Sequence, residues 1–247
     1  GFVGWSGTVS GFNNSITTVR PRFRELTPFI YTEVFAGSKI QGNPELLNTK
    51  IYNTDLSYEI YPNVGEVISF NIYNKIIQNP IERVNVATAS GRLETYQNSQ
   101  SSTVFGGEID FRKKINKVKF DYNLSLLWSN ITISDDGQSS VVVTNLNRPL
   151  QGSSPVLSNF DIFYDLKDKH NIGLTYNFVG KKLNSVGVFG LGDIYQRPQN
   201  FLNIVYNYNN ENIVTSVRLN NVLNTEYVLE QDSDIGKVVT NNFKTGV

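Results

Sequence analysis

The chain has 247 residues, with 22 Lys+Arg balancing 22 Asp+Glu and a single His, so charge gives no reason to expect a nucleic-acid or polyanionic partner. Cys is absent, which removes disulfides, thiolate metal sites and cysteine nucleophiles, and no apolar run approaches the ~18 residues of a membrane helix. Hydrophobic residues make up an ordinary 39%, but 13 Tyr, 15 Phe and about one Asn in every eight residues favour many strands joined by polar turns.

Gly1 to Ser10 is Gly-rich, carries no signal peptide and is assigned no element; the first expected strand lies near Asn13 to Arg20. From Lys50 to Tyr61 the apolar set Tyr52, Leu56, Tyr58 and Ile60 alternates with Asn53, Asp55, Ser57 and Glu59. Gly65 to Ile77 repeats the pattern, with Ile68, Phe70, Ile72 and Ile76 against Ser69, Asn71 and Lys75. In Phe105 to Ile115, Ile109 and Phe111 oppose Glu108, Asp110 and Arg112. The clearest case starts at Lys117. Val118, Phe120, Tyr122, Leu124, Leu126 and Trp128 fall on one side, with Lys119, Asp121, Asn123 and Ser125 on the other. Further apolar faces follow at Phe160 to Leu166, Ile172 to Phe178, Leu202 to Tyr208 and Ile213 to Leu219. A period of two puts successive side chains on opposite sides of a strand.

The links alternate in length. Short ones fall at Pro62 to Val64, around Ile115-Asn116, at Lys167 to Lys169 and at Asn209 to Glu211. Long ones run from Pro21 to Thr49, Gln78 to Asn98, Ser134 to Ser158, Lys182 to Asn200 and Leu223 to Lys237. Short periplasmic turns alternating with long extracellular loops mark an outer-membrane barrel. About ten strands are expected, the last descending from about Val238. Several reach the ~9–11 residues that span a bilayer, beyond the ~5–6 usual in a soluble sandwich. Tyr or Trp toward one end of the apolar faces suits an interfacial girdle.

The expected fold is therefore all-β, an antiparallel transmembrane β-barrel. Phe70, Phe111, Phe120, Tyr122, Trp128, Tyr164, Tyr176 and Tyr206 are expected to face lipid. Asn53, Asp55, Glu59, Glu108, Asp110, Arg112, Asp121, Asn123, Asn177 and Asn203 are expected to face a hydrated lumen or a plug, because such residues are costly against hydrocarbon.

Catalytic chemistry has little to work with. His170 reads as a solvated residue of a periplasmic turn beside Asp168 and Lys169, at the opposite end from any outer-rim hydrolase site, so no enzyme, no catalytic residue and no cofactor are expected. With one His and no Cys, no transition-metal cluster can be assembled. Asp135-Asp136-Gly137 and the series Glu230, Asp232, Asp234 have oxygen ligands but not the spacing of a calcium loop, and read as turns. Gly190-Leu191-Gly192 lacks the strand-to-helix setting of a nucleotide loop, and Asn130-Ile131-Thr132 is a glycosylation triplet without a bacterial use. Lys113, Lys114 and Lys117 crowd one periplasmic turn, where they snorkel or meet lipid phosphate.

Seven stretches together resemble the C-terminal barrel half of TonB-dependent receptors in their Bacteroidetes form. They are Arg20 to Phe29 (RPRFRELTPF), Gly42 to Leu46 (GNPEL), Asn79 to Glu82 (NPIE), Gly107-Glu108 with Arg112-Lys113, Tyr176-Asn177 with Gly180-Lys181, Asp193 to Pro198 (DIYQRP), and Asn220 to Asn224 with Glu226-Tyr227. Each is short; their order from Arg20 onward carries the likeness. The family pattern departs at the end, where the chain stops at Val247 without the usual terminal aromatic residue. The resemblance implies that residues 1–247 are the C-terminal portion of a barrel of about 22 strands, with the plug domain, the TonB-contacting segment and the earlier strands lying outside it.

It further implies a nutrient receptor of the bacterial outer membrane importing an iron chelate, vitamin, glycan or peptide. Its partners would be outer-membrane lipid, TonB through the N-terminal part, and surface lipoproteins or complex subunits, with no nucleic acid. The lumenal residues would meet the plug. Tyr31, Tyr96, Tyr195 and Arg197, in the outer loops, are candidates for substrate contact by chemistry and position. The alternative is a structural barrel subunit of a secretion or assembly complex.

Overall fold

A computed structural model describes residues 7–32, 39–88, 91–132, 143–167, 169–188, 190–233, 236–244 and 246. Nine long strands form one antiparallel sheet. In sheet order they are β1 (Gly7–Val19), β4 (Thr49–Tyr61), β5 (Val67–Gln78), β8 (Ser101–Ile115), β9 (Val118–Thr132), β10 (Val156–Lys167), β11 (His170–Val179), β14 (Gln199–Asn210) and β15 (Ile213–Leu219). Sheet order follows chain order throughout, as an up-and-down wall requires. Eight of the nine strands were expected close to their observed positions. The first reaches back to Gly7, into the segment that carried no expectation, because Gly7 to Ser10 continue the ladder opposite Tyr58 to Tyr61.

The register proves the two faces. Phe111, Tyr122, Phe160 and Tyr176 stand directly opposite one another on successive strands, as do Tyr164, Ile172 and Tyr206. On the other face Ser69, Asp110, Asn123, Asn159 and Asn177 form an unbroken row. Along β4, β5 and β8 the apolar face is the open one. Leu56, Ile72 and Phe105 are 55%, 50% and 49% exposed, and along β4 the polar side chains Asn53, Asp55, Ser57 and Glu59 are each more shielded than Tyr52, Leu56 and Tyr58 between them. A soluble sandwich would show the reverse.

Tight turns close one end. Asn116 takes a left-handed φ of 53° in the two-residue link from β8 to β9, a conformation Asn tolerates better than other side-chain-bearing residues, and Gly65 takes φ 78° between β4 and β5.

The long links are not plain loops. They contribute β2 (Ile30–Thr32), β3 (Lys39–Gln41), β6 (Ile81–Thr88) and β7 (Gly91–Asn98), which form one four-stranded sheet. A second holds β12 (Lys182–Ser185), β13 (Ile194–Gln196), β16 (Glu226–Ser233) and β17 (Gly236–Lys244). This changes one expectation. The segment from Val238 is not a tenth wall strand: β17 turns back on β16, with Val238 opposite Gln231, and takes no partner in the nine-stranded sheet. The wall therefore has nine strands among the described residues. A parallel bridge between Val84 and Val186 brings the two small sheets side by side.

Candidate functional site

The polar face of the wall is a hydrogen-bonded lattice. Ser69 Oγ donates to Asp110 Oδ2 at 3.0 Å, Asn123 donates to the other oxygen of Asp110, and Asn177 Nδ2 donates to Asn159 Oδ1 at 2.7 Å. Arg112 Nε meets Asp121 Oδ1 at 2.7 Å and Lys119 Nζ meets its other oxygen at 2.9 Å. Asn71 reaches Glu108 at 3.4 Å, and Glu59 accepts from Tyr61. The ten residues expected to face the lumen, among them Asp55, Glu59, Glu108, Asp110, Arg112 and Asp121, share this face, as their registers show. Such groups need water or a polar partner against them. The eight residues expected to face lipid share the opposite face.

Toward the long-link end, a hollow of ≈ 340 Å³ opens on the polar face between Asp55, Lys75 and Glu108 and an apolar floor of Ile77, Val104, Leu127 and Leu150. Leu150 comes from the β9–β10 link and packs against Tyr73, Ile77 and Val104, so this link folds inward over the wall.

Above the wall the long links lock together. Val84, Val143, Leu183, Val186 and Val188, drawn from three links, make a small core. Beside it Arg148 grips both carboxylate oxygens of Glu82 at 2.6 and 2.8 Å, the two side chains being 1% and 0% exposed, and Ser99 adds a third bond to Glu82. Gln151 fastens two links at once, donating to the carbonyls of Arg83 and Asn184 and accepting from the Arg83 amide at 2.5 Å. Asp193, fully buried, accepts from Asn145 Nδ2 and the Gly187 amide, each at 2.8 Å.

Five of the seven stretches behind the family resemblance lie in the long links, and the two on β8 and β11 lie in the wall. Arg22 to Thr27 form a single helical turn, α1 (Phe23–Leu26), in which Glu25 accepts from the Arg22 amide at 2.7 Å. Gly42 then lies against that turn: its amide donates to the Thr27 carbonyl at 2.8 Å, and a Cβ would stand 2.6 Å from Thr27 backbone atoms. Asn43 continues the contact to Glu25 and Tyr96. Asn79 and Asn221 adopt left-handed φ values of 52° and 48°, and Asn221 Oδ1 accepts from the Thr225 amide.

The four substrate-contact candidates fall into two pairs. Tyr31 and Tyr96 meet through their hydroxyls; burial, then that bond, raises the Tyr96 pKa, and Arg24 sits 6.0 Å over the Tyr31 ring. Tyr195 packs against the valine core, and burial together with Asp193 raises its pKa. The Lys181 ammonium lies 3.8 Å from the Tyr195 ring centroid, its pKa lowered by burial and by Lys237. Arg197 Nε binds Glu230 Oε2 at 2.6 Å, with Lys237 at 3.3 Å from the other oxygen, and these bonds hold the Glu230 pKa below the ordinary carboxylate range. Arg197 and Tyr195 are thus committed first to holding the layer. Sequence reasoning missed Glu82, Arg148 and Gln151; only Glu82 had a signal, as the last residue of the Asn79 to Glu82 stretch.

His170 departs from expectation. It is half-buried at the start of β11, with Nδ1 2.7 Å from the Tyr206 hydroxyl and its ring 5.0 Å from that of Tyr208. The two tyrosines stand beside it on β14, so the ring joins an aromatic row instead of hanging in solvent. Gly192 serves backbone approach and not a phosphate: a Cβ there would lie 1.8 Å from the Asp232 carbonyl oxygen. Asp135, Asp136, Asp168 and Asp234 lie outside the described residues. Among the described residues no group of His, Asp and Glu is placed to hold a metal, and no helix is long and apolar enough to cross a membrane.

No protein-family model matches the chain, and no curated protein matches it by sequence. Solved structures do match. The ferric enterobactin receptor PfeA of Pseudomonas aeruginosa superposes over 96% of this chain at 15% identity with a TM-score of 0.60. The siderophore receptor PirA of Acinetobacter baumannii superposes over 89% at 13% identity and 0.58, and the copper transporter OprC over 98% at 14% identity and 0.65. The chain spans 36%, 35% and 36% of those three proteins. Likeness at this level of identity establishes the fold alone: the nine strands have the arrangement of a stretch of barrel wall in these three receptors and transporters.

Proposed function

We propose that this chain is the C-terminal wall of an outer-membrane receptor that captures an extracellular nutrient and imports it with energy delivered by TonB. The observation that carries the reading is the reversal of the two faces along β4, β5 and β8: aromatic and aliphatic residues there lie open while the carboxylates and amides on the opposite face are the more shielded. Such a sheet suits hydrocarbon outside and a hydrated, filled lumen inside. β1 and β15 each have a wall partner on one side only among the described residues, so closure calls on further strands from the same polypeptide. A plug domain would occupy the lumen and reach TonB, and the locked outer layer would form part of the entrance, open to a surface lipoprotein or other subunit. The motif set supports the Bacteroidetes form of this family.

The test is uptake. Deletion of the gene encoding this polypeptide should abolish energy-dependent accumulation of one class among ferric chelates, vitamins, oligosaccharides and peptides, with restoration by the intact gene. Unchanged uptake of all four classes, with loss instead of an exported or surface-assembled protein, would shift the assignment to a structural barrel subunit.

A further inference from the structure

The polar face changes sign along its length. Around β4, β5 and β8 it is acidic, with Asp55, Glu59, Glu108 and Asp110. At the short-turn ends of β8 to β11 it turns basic, with Arg112, Lys114, Lys117, Lys119 and Lys169. The carboxylates there are largely engaged: Asp121 holds both Arg112 and Lys119, and Asp165 accepts from Asn171 Nδ2 at 2.8 Å. Asp161 stands opposite Asp121, and Glu211 is exposed in the next turn. Lys117 and Lys169 are exposed and pair with no carboxylate among the described residues. They flank a hollow of ≈ 530 Å³ whose other walls are Asp165, His170, Asn171, Asn207 and Asn209.

Asp165, Asn171 and Asn207 are direct cross-strand neighbours on the polar face, so the hollow opens to the lumen and away from the aromatic rows. It is far larger than one oxyanion. Two ammonium groups unpaired among the described residues and three amide side chains, spread across adjacent strand ends, suit an extended chain that offers carboxylates and backbone carbonyls.

We infer that this hollow docks an acidic peptide segment in the lumen's periplasmic mouth. The inference rests on the wall reading above. Charge complementarity selects the occupant, since a basic or neutral segment would leave Lys117 and Lys169 facing like charge or nothing.

The experiment is photo-crosslinking in the full-length receptor in cells, with a benzophenone amino acid in place of Asn207. The expected result is an adduct with an Asp/Glu-rich peptide, identified by mass spectrometry. Its yield should fall about tenfold in the Lys117→Glu/Lys169→Glu variant, since reversing two rim charges amounts to an energy on the order of 1.4 kcal/mol. Lys113→Glu, whose ammonium pairs with Glu66 on the other side of the strand, should leave the yield unchanged. The same reporter at Trp128 should label lipid. That control separates the two ideas: without lipid labelling at Trp128 the wall reading itself fails, and this docking site with it. With lipid labelling intact, an adduct at residue 207 to phospholipid, an adduct to a segment without carboxylates, no adduct, or a yield indifferent to both charge reversals each overturns the docking site alone.

Discussion

The wall and the layer above it are built by one chain under opposite rules. In the wall, large apolar side chains such as Leu56, Ile72 and Phe105 lie open, and the carboxylates of the same strands, such as Asp55, Glu108 and Asp110, sit on the more shielded face. In the outer layer, Val84, Leu183, Val186 and Val188 are fully buried, and the buried charges among the described residues are each matched: Glu82 by Arg148, Glu94 by Arg83, Glu230 by Arg197 and Lys237, and Asp193 by hydrogen bonds. The first arrangement suits hydrocarbon, where every backbone group must be bonded within the sheet. The second is an answer to water, where a small apolar core must form and any buried ion needs a partner. The two regions should therefore fail separately.

The largest expected effect lies in the outer layer. Arg148→Ala leaves Glu82 buried with only Ser99 beside it, and uncompensated buried charge costs about 3–5 kcal/mol. Amide exchange in β6, β7 and β12 should rise steeply while heat-modifiable migration of the barrel stays intact. Replacing both partners, as Glu82→Leu/Arg148→Met, should recover most of the loss. Concerted collapse of wall and layer in the single variant would break the comparison.

Next comes the wall. Leu174 and Thr175 are neighbours on β11; Leu174 stands between Ile162 and Ile204, and Thr175 between Asp161 and Asn203. Leu174→Arg should cost about 2–4 kcal/mol of folding into bilayers, the figure for a cation near the midplane. Thr175→Arg, one residue along, should stay within about 0.5 kcal/mol. Equal penalties in a vesicle-folding titration would mean that the two faces do not meet different solvents.

The same contrast explains what could be read in advance. The wall was legible because its register forces a period of two over stretches as long as Val118 to Thr132, and both faces keep their chemistry strand after strand. The candidate lumenal set followed from the same alternation. The outer layer was not legible, because β2, β3 and β13 have three residues each and β12 four, too few to display a period. Their pairing joins segments far apart in the chain, as Ile194 with Gln231. Tyr195 and Arg197 stood out by chemistry, but only the fold shows Lys181 over one and Glu230 beside the other. The misplaced tenth strand has the same origin: the parity of short and long links called for a descending strand from about Val238, and nothing local reveals that the segment folds back on β16.

A smaller effect should separate packing from ligand contact at the Tyr31–Tyr96 pair. Tyr96→Phe removes the bond between the two hydroxyls and should cost the outer layer about 0.5–1.5 kcal/mol. A double-mutant cycle with Tyr31→Phe should show coupling of that size without any ligand present. Absorbance titration should also lose one tyrosine that titrates above the ordinary range in Tyr96→Phe, because burial raises that hydroxyl's pKa.

The smallest effect is a pH dependence confined to the outer layer. Arg197 and then Lys237 hold the Glu230 pKa below its unfolded value, so Glu230 binds fewer protons in the folded state than in the unfolded one. Its contribution is complete above the ordinary carboxylate pKa and is lost as pH falls through the depressed folded value. Arg197 and Lys237 are 49% and 56% exposed, which keeps the contribution of each pair at about 0.2–1 kcal/mol. Relative to Glu230→Gln at each pH, the wild-type β16–β17 hairpin should hold a constant extra protection from neutrality down to about pH 5, then lose it on further acidification. High salt should shrink the difference, since half-exposed ion pairs are screened. The wall should show no counterpart at Leu174 in the same experiment, because its ladder there is flanked by apolar pairs. An acid-dependent loss that persists in Glu230→Gln would place the titrating group elsewhere and remove Arg197 from its structural role.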